Sequence, residues 1–537
     1  MKQELTTPPQ SAPALRAYLW LLVAVTGALL LYALLTWLFW LPSWIPTPRT
    51  SIGTVTKNSA SGTMLLVLIG ITLYTLYVLG ALILWWRPVF RQQTQLIWTG
   101  AIAASMLLLW AYPVTSTDVF DYFFRSRMAV TYDANPYLAL PNQFKSDPFL
   151  RYIGWPNAPS AYGPLWEYLS YGSVWLGGDS LLRNVLLYKA LAAITHLVCG
   201  LLIGTLVTDA RTRTLSVYLW LFSPLALWEL VAVGHNDGLM IITLLLALVA
   251  VRHDRYWLAV LALTGGALIK FLPAIFLPLV VLAWLRSEPT WWRRGRALVL
   301  ASLLFCVPVG VLYAPFWDLP PAFASLSLDA KLMAIWQGRT TTLHNLAVRE
   351  GFLNASPLAV VSYLLQTDGS LRLINSVMQA LTQPIAEQTD VQGAVSSFGT
   401  ILLGLSLLWQ CWHIWFRRRP LVSAFLGLLL WYVLVSSQWF QPWYIVWILA
   451  IFALRPTFGM WIWLTAWALM AQASYLLQYI VLPTLKLGGQ TLEAQALYVV
   501  VIYTLPLALW LWTTYWRTNQ PSGATEQQPA VPQSVVQ

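Results

Sequence analysis

Apolar runs long enough to cross a lipid bilayer recur along this chain and restrict what it can fold into. A transmembrane helix needs roughly 20 apolar residues, and fewer where it is broken or buried in protein; about fourteen runs meet this rule. They lie near 16–41, 63–86, 94–112, 181–208, 214–234, 237–251, 256–270, 271–285, 296–314, 396–416, 421–437, 442–454, 457–481 and 495–516. The runs are continuous rather than alternating, which favours helices over barrel strands. The sequence therefore predicts an all-α polytopic membrane protein with about 13–14 transmembrane helices.

The low charge content supports a membrane protein. Only 9% of the 537 residues are charged, whereas a soluble domain carries about 25%. The net charge of +11 would also suit a nucleic-acid-binding protein. However, the basic residues stand in short clusters between apolar runs, as the positive-inside rule requires. We therefore expect membrane lipid as a partner, and no nucleic acid.

Cysteine spacing gives no sign of a metal or disulfide site. Cys199, Cys306 and Cys411 all fall within or at the edge of predicted spans. No two of them have the spacing of a metal site or of a disulfide framework. We expect three small apolar side chains, no metal and no cofactor.

Basic residues set the orientation of the spans. With the N-terminal tail, 1–15, in the cytoplasm, every predicted cytoplasmic turn contains Lys or Arg. An even number of spans returns the tail 517–537 to the cytoplasm, and its Pro, Gln, Ser and Thr content predicts disorder. The first run lacks a cleavage site and is expected to remain as a helix. One membrane domain, 16–516, is predicted in the plasma membrane.

Two long segments, 113–184 and 315–393, then lie on the extracytoplasmic side. They contain most of the acidic residues, namely Asp118, Asp121, Asp133, Asp147, Glu167 and Asp179 in the first and Asp318, Asp329, Glu350, Asp368, Glu387 and Asp390 in the second. Long loops in compact proteins usually carry function. The distribution of acids therefore indicates an active site on the outer side.

The first outer loop opens with a predicted helix that carries two acids. Asp118 and Asp121 are three residues apart and share a helix face, and Tyr122 and Arg125 each lie four residues from one of them. Such a face could support acid–base chemistry. The alternative is a capping box, in which Asp118 caps the helix and Asp121 stands at its third position. Catalysis is therefore a hypothesis for either acid.

Several short motifs follow in order along the chain. They are Asp118-x-x-x-Tyr122, Asn135-Pro136-Tyr137, Tyr162-Gly163-Pro164-Leu165, Gly234-His235-Asn236-Asp237, Lys270-Phe271-Leu272-Pro273 and Gln441-Pro442-Trp443-Tyr444. Together they resemble the polyprenol-phosphate-mannose-dependent mannosyltransferases that build bacterial lipoglycans, a branch of the type C glycosyltransferases. The matches span most of the chain. The second outer loop and the last two helices carry no matching motif.

The resemblance implies a fold and a chemistry. The fold would be a type C glycosyltransferase-like helix bundle with two large extracytoplasmic loops. The enzyme would move a hexose, expected to be mannose, from a polyprenyl phosphate to a lipid or glycan acceptor, with inversion and without a metal. By position the general base would be Asp118. Asp121 departs from the family pattern, which has a small residue before the tyrosine, so either acid could be the base.

Further residues of the motifs are candidates for substrate and phosphate binding. They are Tyr122, Arg125, Arg127, Asn135, Tyr137, Tyr162, His235, Asn236, Asp237, Lys270, Gln441, Trp443 and Tyr444. Lys270 stands between two apolar runs, where a charge is costly and function is the default hypothesis, although snorkelling to the interface is the alternative. Asn236 or Asp237 could simply cap a helix, and Trp443 could belong to an interfacial belt. Glu229 is another costly acid within a predicted span.

Other functions remain open on sequence alone. A flippase for a lipid-linked sugar would predict inverted repeats, and none is evident. A ligase or polymerase acting on a lipid pyrophosphate would need more outer cations. A scaffold without catalysis would leave Asp118 and Lys270 unexplained.

Overall fold

The computed structural model describes residues 12–87, 91–317, 325–334, 354–380 and 388–518, and these are predominantly helical. Within these ranges there is no β-strand, and only two isolated bridges form, Trp40 with Ala111 and Asn354 with Trp439. The predicted all-α class is confirmed. The expected terminal tails lie mostly outside the described residues, as do 318–324, 335–353 and 381–387 of the predicted second loop.

The first part of the chain runs from α1 to α14. These helices are α1 (Ala12–Leu38), α2 (Leu41–Trp44), α3 (Ile52–Thr56), α4 (Ala60–Trp86), α5 (Arg91–Leu108), α6 (Asp118–Tyr132), α7 (Pro164–Gly177), α8 (Leu181–Leu206), α9 (Ala210–Leu221), α10 (Pro224–Ala226), α11 (Asp237–Arg252), α12 (Tyr256–Ala267), α13 (Leu277–Ser287) and α14 (Trp291–Tyr313). A 3₁₀ turn, Leu272–Phe276, precedes α13.

The described remainder contains α15 to α22. They are α15 (Pro357–Leu365), α16 (Asp368–Ala380), α17 (Gln388–Arg417), α18 (Leu421–Trp431), α19 (Tyr444–Phe452), α20 (Phe458–Leu476), α21 (Leu482–Thr484) and α22 (Leu492–Thr518). Helix α11 packs between α8 and α12, while α1 packs on α4 and α5, and α20 packs on α22.

Seven helices among the described residues are long and apolar enough to cross a membrane. They are Ala12–Leu38, Ala60–Trp86, Leu181–Leu206, Trp291–Phe316, Val391–Arg417, Phe458–Thr484 and Leu492–Thr513. Each of the other runs identified in the sequence overlaps a shorter or bent helix. The chain is a multi-pass membrane protein. How many of the shorter helices also cross the bilayer stays a prediction.

Among the residues that the structure describes, three helices continue into π-helical turns, at Leu227–Ala232, Tyr432–Ser436 and Leu477–Val481. The first follows Pro224, which cannot donate a backbone hydrogen bond, and the two parts of this span meet at 44°. π-Helical turns inside α-helices are frequent at functional sites. The first and third lie next to the cavity described below.

The first predicted loop is held to the bundle through the start of α7. Pro164 occupies the first turn of α7, where a missing N–H costs little. The amides of Gly163 and Leu165 donate to the carbonyls of Ile269 and Leu268 at distances of 3.0 and 2.9 Å. A Cβ at Gly163 would lie only 2.2 Å from the Leu268 oxygen, so this close approach requires glycine. The contact brings Tyr162 towards Lys270.

Candidate functional site

A polar cavity of about 260 Å³ lies at the start of α6. Its walls come from distant segments of the sequence, between Thr115 and Tyr479, and include the loop between α6 and α7. The lining residues are Thr115, Ser116, Thr117, Asp118, Asp121, Arg125, Gly154, Trp155, Ala161, Tyr162, Lys270, Trp439, Gln441, Trp443, Tyr444, Gln478 and Tyr479. Eight of the residues singled out from the sequence are among them, so the fold brings distant motifs to one place.

Asp118 is the first residue of α6 and faces this cavity with its carboxylate partly accessible, 17% of the side chain being exposed. Its Oδ2 accepts a hydrogen bond from the Tyr162 hydroxyl at 3.3 Å. The Nε2 atom of His235 lies 3.8 Å from the same oxygen. The position of Asp118 in the first turn of α6 is favourable for a negative charge. Asp118 is thus an accessible carboxylate with room for a further partner.

Asp121 is buried, and its oxygens are occupied by the protein. Oδ2 accepts from the amide of Gly154 at 2.9 Å and from the Thr117 hydroxyl at 3.3 Å, and Oδ1 accepts from the amide of Trp155 at 3.2 Å. Burial raises the pKa of Asp121 to about 6, although the charge of Arg125 opposes the shift. The carboxyl fastens the 154–155 segment to α6. The capping box does not form, because α6 begins at Asp118 and Thr117 makes no side-chain cap.

His235 reaches the cavity wall through a sharp reversal of the chain. Gly234 adopts φ = +89°, a backbone conformation that residues other than glycine rarely adopt. The reversal follows the π-helical turn and precedes α11. The imidazole packs against the indole of Trp443 with ring centroids 4.2 Å apart. The histidine is therefore held by backbone geometry and by an aromatic contact.

Lys270 enters the cavity with its ammonium group already paired. Nζ lies 2.8 and 3.0 Å from the two oxygens of Asp237, which is fully buried at the start of α11. The indole N–H of Trp447 also donates to Asp237 at 2.6 Å. The Lys270 side chain remains 22% exposed. Since a lysine has three N–H donors, Lys270 can hold an anion while it is bound to Asp237.

Aromatic rings form much of the remaining wall. Tyr444 stacks on Trp447 with centroids 4.2 Å apart, and Trp155 contacts Trp439 edge to face at 5.5 Å. Rings with exposed faces suit the C–H surface of a sugar, and the neighbouring acids and amides suit its hydroxyls. The cavity therefore combines a carboxylate, cations and aromatic surfaces.

Comparisons with known proteins point to the family that this chain resembles. Residues 21–286, which include Asp118, His235 and Lys270, match the family described as alpha-(1→6)-mannopyranosyltransferase, N-terminal domain. A probable alpha-(1→6)-mannopyranosyltransferase of Mycolicibacterium smegmatis is 26% identical over 422 residues, which cover 71% of this chain and 69% of that protein. Both matches support a mannosyltransferase family for this chain. No solved structure matches it.

Arg125, which lies in the matched part of the chain, shapes the cavity wall. The guanidinium donates to the carbonyl of Ala158 at 2.9 Å, and it also approaches the carbonyl of Trp155. Arg125 therefore orders the segment 155–158, which follows the residues that donate to Asp121. Its charge faces the same cavity as Lys270.

Seven other residues singled out from the sequence lie outside the cavity lining. Tyr122 and Asn236 are buried beneath it, where the Tyr122 hydroxyl lies 3.5 Å from Asn236 Oδ1. Asn135 donates to the carbonyl of Phe316 at 2.9 Å, and the Tyr137 hydroxyl donates to the carbonyl of Tyr162 at 2.9 Å. Arg127 pairs with Asp147 at 2.5 Å and also with Asp179. His235 and Asp237 stand directly behind the lining residues.

Several lining residues were not identified from the sequence. Gln478 and Tyr479 belong to the π-helical turn after α20, more than 350 positions from Asp118. The Tyr479 hydroxyl donates to the carbonyl of Thr115 at 3.3 Å, which connects this turn to the start of α6. Trp155 and Trp439 stand in segments rich in aromatic residues. With 32 tryptophans in the chain, composition gave no reason to select these two.

An apolar groove of about 320 Å³ meets the polar cavity at Thr115, which lines both. Residues of α1, α4 and α20 form its sides, among them Leu35, Leu73 and Leu476. Among the residues that the structure describes, no cluster of three or more His, Cys, Asp and Glu side chains could hold a metal ion.

Proposed function

We propose that this mannosyltransferase takes mannose from a polyprenyl-phosphate donor and transfers it, with inversion, to a lipid or glycan acceptor. Asp118 acts as the general base and removes the proton of the acceptor hydroxyl as its oxygen attacks the anomeric carbon. The observation that carries the proposal is the accessible carboxylate of Asp118 in a cavity that also contains cations and aromatic rings.

The choice of Asp118 over Asp121 rests on their hydrogen bonds. Asp121 accepts three hydrogen bonds from the protein, and its displacement would release the 154–155 segment. Among the residues that the structure describes, Asp118 accepts one, from Tyr162. A base must come within hydrogen-bond distance of the proton that it removes. The accessible carboxylate of Asp118 can approach an acceptor hydroxyl without releasing a segment of the protein.

The cations support a phosphate leaving group. Lys270 and Arg125 both line the cavity that contains Asp118. A phosphate monoester leaves readily, so charge stabilisation is needed more than a strong general acid. Lys binds phosphate as a point charge, and Arg binds it through paired N–H groups. The adjoining apolar groove supports a substrate that has a hydrocarbon chain.

The family description and the name of the relative support an α-(1→6) linkage. Both describe an alpha-(1→6)-mannopyranosyltransferase. We propose the same product here, an α-(1→6)-linked mannose in a cell-envelope lipoglycan. An inverting enzyme that forms an α-linkage requires a donor whose mannose is β-linked to phosphate. The proposed donor therefore contains mannose in β-linkage to the phosphate.

The active site faces the extracytoplasmic side in this proposal. The basic clusters then lie in the cytoplasm, as the positive-inside rule requires. The start of α6 follows the third apolar run, which places Asp118 opposite the cytoplasmic N-terminus. The donor's phosphate would lie at the membrane surface, where Lys270 can reach it.

Purified protein tests the donor class directly. We would supply it with α-(1→6)-linked manno-oligosaccharides, or with membrane lipid extract, and with either polyprenyl-phosphate mannose or a nucleoside-diphosphate mannose. The proposal predicts transfer only from the lipid-linked donor and an α-linked product. Transfer from the nucleotide sugar alone would contradict it. Movement of lipid-linked sugar across a liposome membrane without transfer would instead support a flippase.

A further inference from the structure

A buried glutamate lies behind the proposed base and has no role in the proposed transfer. Glu229 belongs to the π-helical turn of the bent span, and its side chain is completely buried. Burial of an acid among apolar helices is costly unless a partner compensates its charge. The polar and cationic groups nearest to Glu229 therefore indicate how its charge is compensated.

Glu229 is the inner end of a row of polar groups that leads to Asp118. The Tyr475 hydroxyl donates to Glu229 Oε1 at 3.0 Å. Glu229 Oε2 lies 3.4 Å from Nδ1 of His235, and Nε2 of the same ring lies 3.8 Å from Asp118 Oδ2. The two ring nitrogens thus face two different carboxylates. Within the described residues neither nitrogen has a hydrogen-bond partner, so both contacts are charge contacts.

The charge on the imidazole follows from its neighbours. A neutral imidazole carries one proton and can donate to only one of the two carboxylates. An imidazolium presents an N–H to each carboxylate and compensates their negative charge at short range. The histidine is buried, and burial opposes a charge. Two carboxylates within 4 Å outweigh that cost, as in other buried groups paired with opposite charges.

Other charged groups near the ring do not alter this balance. Asp237 is close in sequence, but Lys270 and Trp447 already hold its oxygens. Lys189 of α8 packs beside Gly234, and its ammonium group donates to the carbonyl of Ala111. Trp443 covers one face of the ring, and Asn236 is neutral. Asp118 and Glu229 therefore remain the groups that face the ring nitrogens.

We propose that His235 and Glu229 are positioning residues that keep Asp118 ionised, with Glu229 holding His235 as an imidazolium and the imidazolium facing Asp118. This inference rests on the proposed role of Asp118 as the base. In the reaction, the acceptor proton passes to Asp118 while the acceptor oxygen forms its bond to the anomeric carbon. The bond from that carbon to the phosphate oxygen breaks, and the imidazolium retains both of its protons.

The pH profile of kcat/KM tests this arrangement in the full-length purified enzyme. Its acidic limb reports the ionisation of the base in the free enzyme. His235→Gln removes the positive charge, so the acidic limb should move to higher pH by at least about one unit, as expected for the loss of an opposite charge within 4–6 Å. Glu229→Gln should shift the limb in the same direction, because the imidazole then loses its proton more easily.

The double variant separates a relay from two independent effects. If Glu229 acts through His235, then His235→Gln together with Glu229→Gln should shift the limb no further than His235→Gln alone. Glu229→Asp retains the carboxylate and should keep the limb near its wild-type position. His235→Gln alone decides the question if Glu229→Gln does not accumulate in the membrane.

His196→Gln is the matched control. His196 is also buried, but its ring contacts the Leu221 carbonyl and Trp220, and no acid faces it within the described part of the chain. Its substitution should leave the limb in place. A uniform loss of activity in His235→Gln without a shift would overturn the inference. A wild type that transfers no mannose would instead contradict the proposed function.

Discussion

At the start of α6, the hydrogen-bond partners of two acids distinguish the proposed base from a structural residue, which the spacing of the acids in the sequence could not do. Asp118 and Asp121 share a helix face, and sequence reasoning left both as candidates for the base. Their partners differ because the 154–155 segment folds back over Asp121 and not over Asp118. That contact joins residues about 30 positions apart and has no local signature. The motif could be predicted from the sequence, but the division of roles could not.

The raised pKa of Asp121 makes a prediction for stability. Because its pKa is about 6 in the folded protein and 3.9 in an unfolded chain, the folded state binds this proton more tightly. The stabilisation is complete below about pH 4 and is lost as the pH rises through 6. Asp121→Asn removes this titration. The stability of the wild type relative to Asp121→Asn should therefore fall by up to about 3 kcal/mol between pH 4 and 7, measured by thermal unfolding in detergent.

Lys270 pairs with Asp237 and is proposed to bind the phosphate of the lipid donor. Substitutions can test these two roles separately. Lys270→Met leaves Asp237 buried without its cation, so thermal stability should fall by roughly 3–5 kcal/mol. Adding Asp237→Asn removes the unpaired charge and preserves an acceptor for Trp447. The double variant should recover most of the stability but keep a KM for the lipid donor raised about 10- to 100-fold. Recovery of the wild-type KM would exclude Lys270 from donor binding.

At the scale of elements, the helices followed from the sequence more completely than the breaks in them. Each apolar run corresponds to a helix, because continuous apolar stretches can satisfy their backbone hydrogen bonds only internally in a membrane. The π-helical turns at 227–232 and 477–481 were not predicted, although they carry Glu229 and Gln478. An inserted residue in a helix changes no hydrophobic pattern strongly enough to be recognised. Such turns depend on packing between distant helices.

The contact between α7 and the end of α12 gives an element-scale prediction. Gly163→Ala would place a methyl group against the backbone of Leu268, which cannot move aside as a side chain can. Stability should fall by about 1–3 kcal/mol, and activity should fall because Tyr162 and Lys270 separate. Gly172→Ala in α7 is the control, since a Cβ there meets nothing within 4 Å. Equal thermal stability of the two variants would contradict this account.

For the whole molecule, composition and the spacing of apolar runs were sufficient to predict the fold class. The arrangement of the helices was not predictable, because lipid-facing and protein-facing apolar residues look alike in sequence. The cavity contains segments from Thr115 to Tyr479, and only the folded bundle brings them together. The orientation in the membrane is still a prediction from charge.

Cysteine labelling checks that orientation. In a background with Cys199, Cys306 and Cys411 replaced by alanine, single cysteines would be placed at Asn157 and Thr208, two exposed positions. If the loop after α6 is extracytoplasmic, as proposed, a membrane-impermeant maleimide should label Asn157→Cys in intact cells. It should label Thr208→Cys only after permeabilisation. The reverse pattern would place the active site in the cytoplasm.

The most direct test of the central claim is the turnover of Asp118→Asn with polyprenyl-phosphate mannose, measured beside Asp121→Asn. Loss of the base should lower kcat by about 10²- to 10⁴-fold while donor binding persists. Asp121→Asn, which retains the accessible carboxylate of Asp118, should lose stability and keep measurable turnover. Full turnover by Asp118→Asn, together with an inactive but folded Asp121→Asn, would contradict the assignment and make Asp121 the base.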